Sequence, residues 1–160
     1  MSSYIREANQ EDILEVVRLL RLFTKQTALS PANIKDFSPR AVSGMVHYSL
    51  NNGLCVVAVK KLEDGREQLI GVIMGAISVN PWTDFRRELR EIAWYVNPKY
   101  RDSRVGLKMY KRYKDVSREM IEDELIFCSH MVTLESSSAS TERLVSRDFN
   151  KIESHYIMEV

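Results

Sequence analysis

Ile13, Val16, Val17, Leu20 and Phe23 recur every three or four residues, with mostly polar or charged positions between them. That spacing predicts an amphipathic helix to about Thr27, opened by the acidic pair Glu11-Asp12 after Asn9 or Gln10. Tyr4-Ile5-Arg6-Glu7-Ala8 before it reads as a short strand, and Ser30-Pro31-Ala32-Asn33 breaks the helix. A second helix starts near Ser38 with Pro39 in first position. It turns Val42, Met45, Val46 and Leu50 inward and ends at Asn51-Asn52-Gly53. The period then changes. Leu54 to Val59 is rich in β-branched residues, Glu63-Asp64-Gly65-Arg66 supplies a hairpin turn, and Gln68 to Val79 returns antiparallel. Gly71 and Gly75 inside that run mark a bulge or a close packing contact.

After Asn80-Pro81-Trp82 and an irregular polar stretch, a strand runs from about Leu89 to Val96. A basic loop leads into a helix from about Val105 to Glu122. Val105, Met109, Tyr113, Val116 and Met120 form its buried stripe, and Lys108, Lys111, Arg112 and Lys114 point outward. Leu125 to His130 is another strand. Ser136-Ser137-Ser138-Ala139-Ser140 forms a loop and cap before a helix from Thr141 to Arg147, and the tail from Lys151 to Val160 is strand-like. The order β-α-α-β-β-β-α-β-α-β gives a mixed α/β (α+β) fold. Its central sheet is mostly antiparallel, within one domain spanning residues 1–160, and it is not doubly wound.

Composition narrows the function. At 160 residues and 44% hydrophobic content, the chain is large enough for one core. The 23 basic and 22 acidic side chains leave a net charge of +1, which disfavours extended nucleic-acid binding. Cys55 and Cys128 sit in apolar runs and read as buried, reduced thiols of a cytoplasmic protein. No run is long enough to span a membrane, and Met1-Ser2-Ser3-Tyr4-Ile5-Arg6 lacks the apolar core of a secretion signal. Three histidines and two cysteines without ligand spacing give no metal site.

The most informative stretch is Val96-Asn97-Pro98-Lys99-Tyr100-Arg101-Asp102-Ser103-Arg104-Val105-Gly106. A strand turning tightly into a helix leaves backbone N–H groups unpaired at the helix start. Those donors, the helix dipole and nearby Arg side chains suit a phosphate.

This loop and the element order resemble the GNAT superfamily of acyl-CoA-dependent N-acetyltransferases, from Ile5 to Met158. The family commonly writes the region as a strand, then V-x-P-x-[YF]-[RQ]-x-x-G-x-[GA], then a helix. Arg101 takes the first motif position and Gly106 the last, while Arg104 stands where a glycine is usual. That glycine lets backbone approach a pyrophosphate, so Arg104 requires either an unusual φ/ψ or an outward Cβ; its guanidinium would add a phosphate contact. Asp102 must point away from such a site. Arg143-Leu144-Val145-Ser146-Arg147-Asp148-Phe149 resembles the family's last helix running into a Gly-Phe pair. Leu144 lies close to where many members carry the tyrosine that protonates the leaving thiolate, and Asp148 replaces the glycine. Ser137 falls near the usual cofactor-facing asparagine.

The resemblance implies acetyl-CoA as donor. It implies backbone at Tyr95 and Val96 to polarise the thioester carbonyl, and amides of Arg101, Asp102, Ser103, Arg104, Val105 and Gly106 to take the pyrophosphate. The base it implies is Glu91, at the start of the strand feeding the loop, with Glu88 a less well-placed substitute. Strict alternation puts Glu91, Ala93 and Tyr95 on one face and Ile92, Trp94 and Val96 on the other. His130 ends a core strand, where a lone histidine reads as a hydrogen-bonded edge residue or a proton-transfer group. Trp82, Phe85 and the Arg86-Arg87 pair lie in a loop suited to gripping an acidic or aromatic substrate, or to acting as a lid.

The leading expectation is an N-acyltransferase acting on a primary amine of a small molecule or protein. The alternative is a catalytically inactive binding or assembly module on the same fold, a form that would suit a small viral protein. Arg104, Leu144 and Asp148 motivate it. A homodimer or a protein partner fits either reading, and nucleic-acid binding through the basic loop is a third, weaker one.

Overall fold

A computed structural model describes residues 3–26, 36–133 and 138–151, except for the side chain of Asp102. The chain divides into two compact units, residues 1–130 and 131–160. The tail expected as a strand lies beyond the described residues, as does Ser137.

The first unit carries a five-stranded sheet in the order β1-β2-β3-β4-β5. Its strands are β1 (Ser3–Glu7), β2 (Gly53–Lys61), β3 (Glu67–Val79), β4 (Arg87–Val96) and β5 (Cys128–His130). Neighbours are antiparallel through β4, and β5 joins β4 in parallel. Among the described residues, three helices flank the sheet: α1 (Ile13–Gln26), α2 (Pro39–Asn51) and α3 (Val105–Glu122). The parallel pair arises because α3 crosses over between β4 and β5.

The helix boundaries follow from their caps. Asn9 accepts from the Glu11 N–H, while Asp12 accepts from the Asn9 N–H, which closes a capping box. Asp12 also takes both prongs of the Arg6 guanidinium, at 2.6 and 2.9 Å, so β1 is fastened to the entry of α1. Burial works against the Asp12 charge, but Arg6 and the Asn9 amide outweigh it and hold the carboxyl below its ordinary value. Ser38 caps α2 through the Ala41 N–H, with Pro39 at the first position as expected.

The two faces of the sheet are covered differently. Tyr95 meets Phe23 of α1 edge-on at 6.3 Å, whereas Trp94 stacks on Tyr110 of α3 at 5.7 Å. Gly71 and Gly75 let α3 lie close. A Cβ at Gly71 would stand 2.9 Å from Met109 Sδ, and one at Gly75 would collide with Tyr113 Oη. Both readings of these glycines hold, because the ladder also shifts register next to each of them. Val16, Leu19, Val46, Val56, Ile73, Leu89, Met109, Tyr110 and Tyr113 are fully buried and form the core. Burying a large side chain of this kind contributes about 1.5–3 kcal/mol.

Two expected elements shift. The buried stripe of α3 is Val105, Met109, Tyr110, Tyr113 and Ser117, leaving Val116 and Met120 half-buried. β5 begins at Cys128 rather than Leu125, because the chain is still leaving α3: the N–H groups of Leu125 and Ile126 both donate to Met120 O. In the second unit one helix, α4 (Ala139–Asp148), is capped by Ser138 through the Thr141 N–H and buries Val145. It starts two residues before the expected Thr141.

Candidate functional site

β4 is one strand with two different halves. Gly75 of β3 pairs with Glu91, but Met74 pairs with Ala93, so Ile92 is an extra residue bulged out of the ladder. A bulge reverses the alternation. Glu91 therefore shares a face with Trp94 and Val96, on the α3 side, and not with Ala93 and Tyr95 as strict alternation predicts. The sequence gives no sign of this, since the shift depends on how β3 pairs.

The halves also differ in their neighbours. β5 pairs only with the first: Glu88 with Cys128, Leu89 with Ser129, Arg90 with His130. Among the described residues of the first unit, 91–96 pair with no strand on that side, which leaves a gap in the ladder. The Asn97 N–H donates to Ile70 O at 2.9 Å, so the polar groups of Asn97 and Tyr95 point toward β3. Those of Trp94 and Val96 then point the other way, into the gap. The Val96 carbonyl is already engaged, accepting from Arg101 Nε at 3.1 Å.

Beyond Val96 the chain makes a 3₁₀ turn, Pro98–Ser103, with Asn97 accepting from the Lys99 N–H and Ser103 Oγ donating to Tyr100 O. Arg104 follows at φ 59° and ψ 10°, in the left-handed region. Of the two routes open to it, Arg104 takes the unusual backbone and so preserves a glycine-type loop. For a side chain with a Cβ this costs about 1–2 kcal/mol. Helix α3 then starts at Val105 with no side-chain cap from Arg104, which among the described side chains leaves the first-turn N–H groups without that partner. Gly106 lies over the end of β4: a Cβ there would sit 3.6 Å from Val96 Cγ2 and 3.8 Å from Trp94 Cζ2. Helix start, left-handed loop and open strand edge thus meet at Val96.

Charge at this corner is arranged unevenly. The Arg101 guanidinium donates to Gln26 Oε1 at 2.9 Å besides Val96 O, and lies 6.0 Å from the Tyr95 ring centre. It braces the loop against α1 and the strand end. Arg104 and Lys99 are exposed. Asp102 contributes described backbone only.

Glu91 is half-buried, and it is the first residue of β4 past the reach of β5. Burial and, next, Glu91 raise the pKa of the Tyr113 hydroxyl, which places the two groups near each other. Among the described residues, the buried hydroxyls of Tyr113 and Tyr95 make no hydrogen bond of ordinary geometry. Glu88 is very different from Glu91. It is 3% exposed and accepts from Asn80 Nδ2 and from Arg90 at 3.0 Å, with His130 Nε2 at 3.2 Å. Burial opposes its charge, but Asn80, Arg90 and His130 prevail and hold it below the ordinary carboxylate value. A carboxylate held this way is a poor proton acceptor, so Glu88 does not serve as substitute base.

Cys128 Sγ lies 3.5 Å from the same His130 nitrogen. Glu88, Cys128 and His130 converge, their ligand-type atoms all within 4.8 Å of one another. Sequence spacing gave no ligand set here, because one member comes from β4 and two from β5. The available signal was Cys128-x-His130, which alternation puts on one strand face. Burial pushes the Cys55 thiol up to about 12, and burial with Glu88 raises that of Cys128, so neither is an activated nucleophile. Trp82 and Phe85 are 90% and 77% exposed in the β3–β4 turn, and Arg86 stacks 4.0 Å from the Phe127 ring centre.

No protein-family model and no curated protein sequence matches the chain. Solved structures do. An acetyltransferase from Trypanosoma brucei superposes with a TM-score of 0.66 at 15% identity, covering 99% of this chain and 100% of that one. The ribosomal-protein-alanine N-acetyltransferase of Brucella melitensis gives 0.63 at 14% identity over the whole of both chains. AAC(6')-Iy, in complex with a CoA bisubstrate analogue, gives 0.62 at 15% identity, covering 100% of this chain and 99% of that one. The chain has the GNAT acetyltransferase fold.

Proposed function

We propose that this chain is a divergent GNAT enzyme that transfers an acetyl group from acetyl-CoA to a primary amine on a small molecule or protein. The carrying observation is the corner at Val96, where the open edge of β4 meets an uncapped helix start across a left-handed turn. CoA appears bound to structures of this fold, which supports the same donor here. The donor supplies the activated acyl group, and the protein positions it. Amides from Arg101 to Gly106 take the diphosphate, favoured by the α3 dipole. The geometry fits this group, because Arg104 keeps the backbone conformation that glycine usually provides.

The N–H groups facing the gap at Trp94 and Val96 hold the pantetheine arm and polarise the thioester carbonyl. Tyr95, whose polar groups turn to β3, supports the strand edge by packing on Phe23, and Ser137 is proposed as a further cofactor contact. Glu91, at the mouth of the gap, takes the proton of the attacking amine directly or through water. Its position past the end of β5, on the α3 side of the sheet, supports this role. The proposed acetyltransferase domain covers residues 1–160, in a cytoplasmic protein. No helix among the described residues is long and apolar enough to cross a membrane.

Calorimetric titration with acetyl-CoA tests the reading. Saturable binding is expected, and absence of heat at millimolar cofactor would leave the inactive binding module in its place. Arg101→Ala should weaken acetyl-CoA about tenfold, or about 1.4 kcal/mol, by releasing the brace on the Val96 carbonyl and the loop. Unchanged affinity would remove the loop from the cofactor site.

A further inference from the structure

We propose that Glu88, Cys128 and His130 form a zinc site, with three protein ligands and one coordination position left for a small oxygen or nitrogen donor. The proposal is independent of acetyl transfer. It begins with three ligand-type side chains brought to one point. His130 Nε2 faces Cys128 Sγ at 3.5 Å and Glu88 Oε2 at 3.2 Å. The Glu88 carboxylate is also within hydrogen-bonding reach of the Cys128 thiol, so each of the three groups faces the other two. A cation between the three atoms engages all of them at once.

The spacing agrees with that cation. Zinc bonds of about 2.3 Å to sulfur and about 2.0–2.2 Å to nitrogen and oxygen, opened to the tetrahedral angle, give S···N and N···O edges of about 3.5 and about 3.4 Å. The structure has 3.5 and 3.2 Å, and the whole set lies within 4.8 Å. The donor set points the same way. A thiolate and an imidazole with one carboxylate suit zinc, and they suit calcium or magnesium poorly.

The surroundings support the ligands. Asn80 Nδ2 donates to the other oxygen of Glu88 and fixes the plane of the carboxylate, the part that outer partners play at metal centres. Arg90 also donates to Oε2 at 3.0 Å, but its side chain is 48% exposed, and a guanidinium cannot itself ligate. It offsets the negative charge of a thiolate and a carboxylate. Cys128 and His130 are half-buried, which keeps the cluster within reach of solvent. Three protein ligands with an open place is the arrangement of zinc sites that bind a water or a substrate atom. Metal entry displaces the Cys128 thiol proton to solvent, and no other bond changes. The ion would also pin β5 to β4 where their pairing ends.

The full chain, stripped with a chelator, should be titrated with Co²⁺ and then with Zn²⁺. One equivalent of Co²⁺ is expected to give a thiolate-to-cobalt charge-transfer band with the visible intensity of a four-coordinate ion. Zn²⁺ should displace it. Cys128→Ser should abolish the charge-transfer band, and His130→Gln should weaken Co²⁺ at least tenfold, each with an unchanged far-ultraviolet circular dichroism spectrum. Arg90→Gln should keep the site. Native mass spectrometry of the unmutated chain with equimolar Zn²⁺ serves if a variant fails to fold, and it should show one bound zinc. A chain that stays metal-free in that spectrum, or a band that survives Cys128→Ser, would overturn the proposal.

Discussion

The two halves of β4 have the same hydrogen-bonding partner in β3 and opposite fates on the other side. Residues 88–90 are joined to β5, and Glu88 is clamped by Asn80, Arg90 and His130. Residues 91–96 have no such neighbour among the described residues of their unit and present backbone to a gap. Two glutamates three positions apart therefore have different chemistry. Glu88 has its proton affinity spent on fixed partners, while Glu91 is half-buried at the strand edge to which the proposed function assigns the substrate amine. The Ile92 bulge separates them. In this fold, what a carboxylate can do depends on which side of a one-residue insertion it occupies.

The largest break in the comparison comes from Glu91→Gln. It should lower kcat by about 10²-fold or more and leave acetyl-CoA affinity within twofold, read by steady-state kinetics beside calorimetry. Equal loss of kcat and affinity would make Glu91 a cofactor contact. Next comes Gly75→Ala, at the residue opposite Glu91. Its new methyl group would meet Tyr113 Oη and the Arg90 carbonyl at 2.8 Å. Urea unfolding should show a loss of about 2–3 kcal/mol, since backbone cannot yield as a flexible side chain does.

A charge pair remote from β4 provides a control for acid effects. The Asp12 carboxyl is held low in the folded state, so its contribution is complete above the unfolded value near 3.8 and is lost as pH falls through the lower folded value. Asp12→Asn should cost about 1–2 kcal/mol at pH 7 and flatten the fall in stability below about pH 4, followed by thermal melts across pH. The smallest effect belongs to Arg104→Gly. Relief of the left-handed Cβ, less the entropy glycine adds to the unfolded chain, should leave stability about 0.5 kcal/mol higher. Any accompanying fall in acetyl-CoA affinity measures the guanidinium alone.

Much of this was legible from residue order. Pro39 after Ser38 and the polar interval after Phe23 gave both early helices, and the turn at Asp64-Gly65 gave the β2–β3 hairpin. Val105 to Glu122 was placed without error, because its stripe and the breakers around it agree. What failed was long-range. The face of Glu91 depends on the pairing of Met74 and Gly75 with β4, and no local pattern encodes an extra residue in a ladder. The Glu88–Cys128–His130 cluster spans a forty-residue separation and is invisible to any spacing rule. Tyr110 was not part of the expected stripe, and it is buried because the indole of Trp94 gives it a partner to stack on.

The backbone at Arg104 also restricts which amino acids the position can hold. A left-handed φ is easy for glycine and tolerable for asparagine, but it is punishing for β-branched residues. A saturation library at codon 104, selected for folded protein, should return Gly, Asn and unbranched side chains and exclude Val, Ile and Thr. Selection for cofactor binding should then keep the cations among them. Applied in that order, the two selections would show whether conformation or charge maintains arginine here.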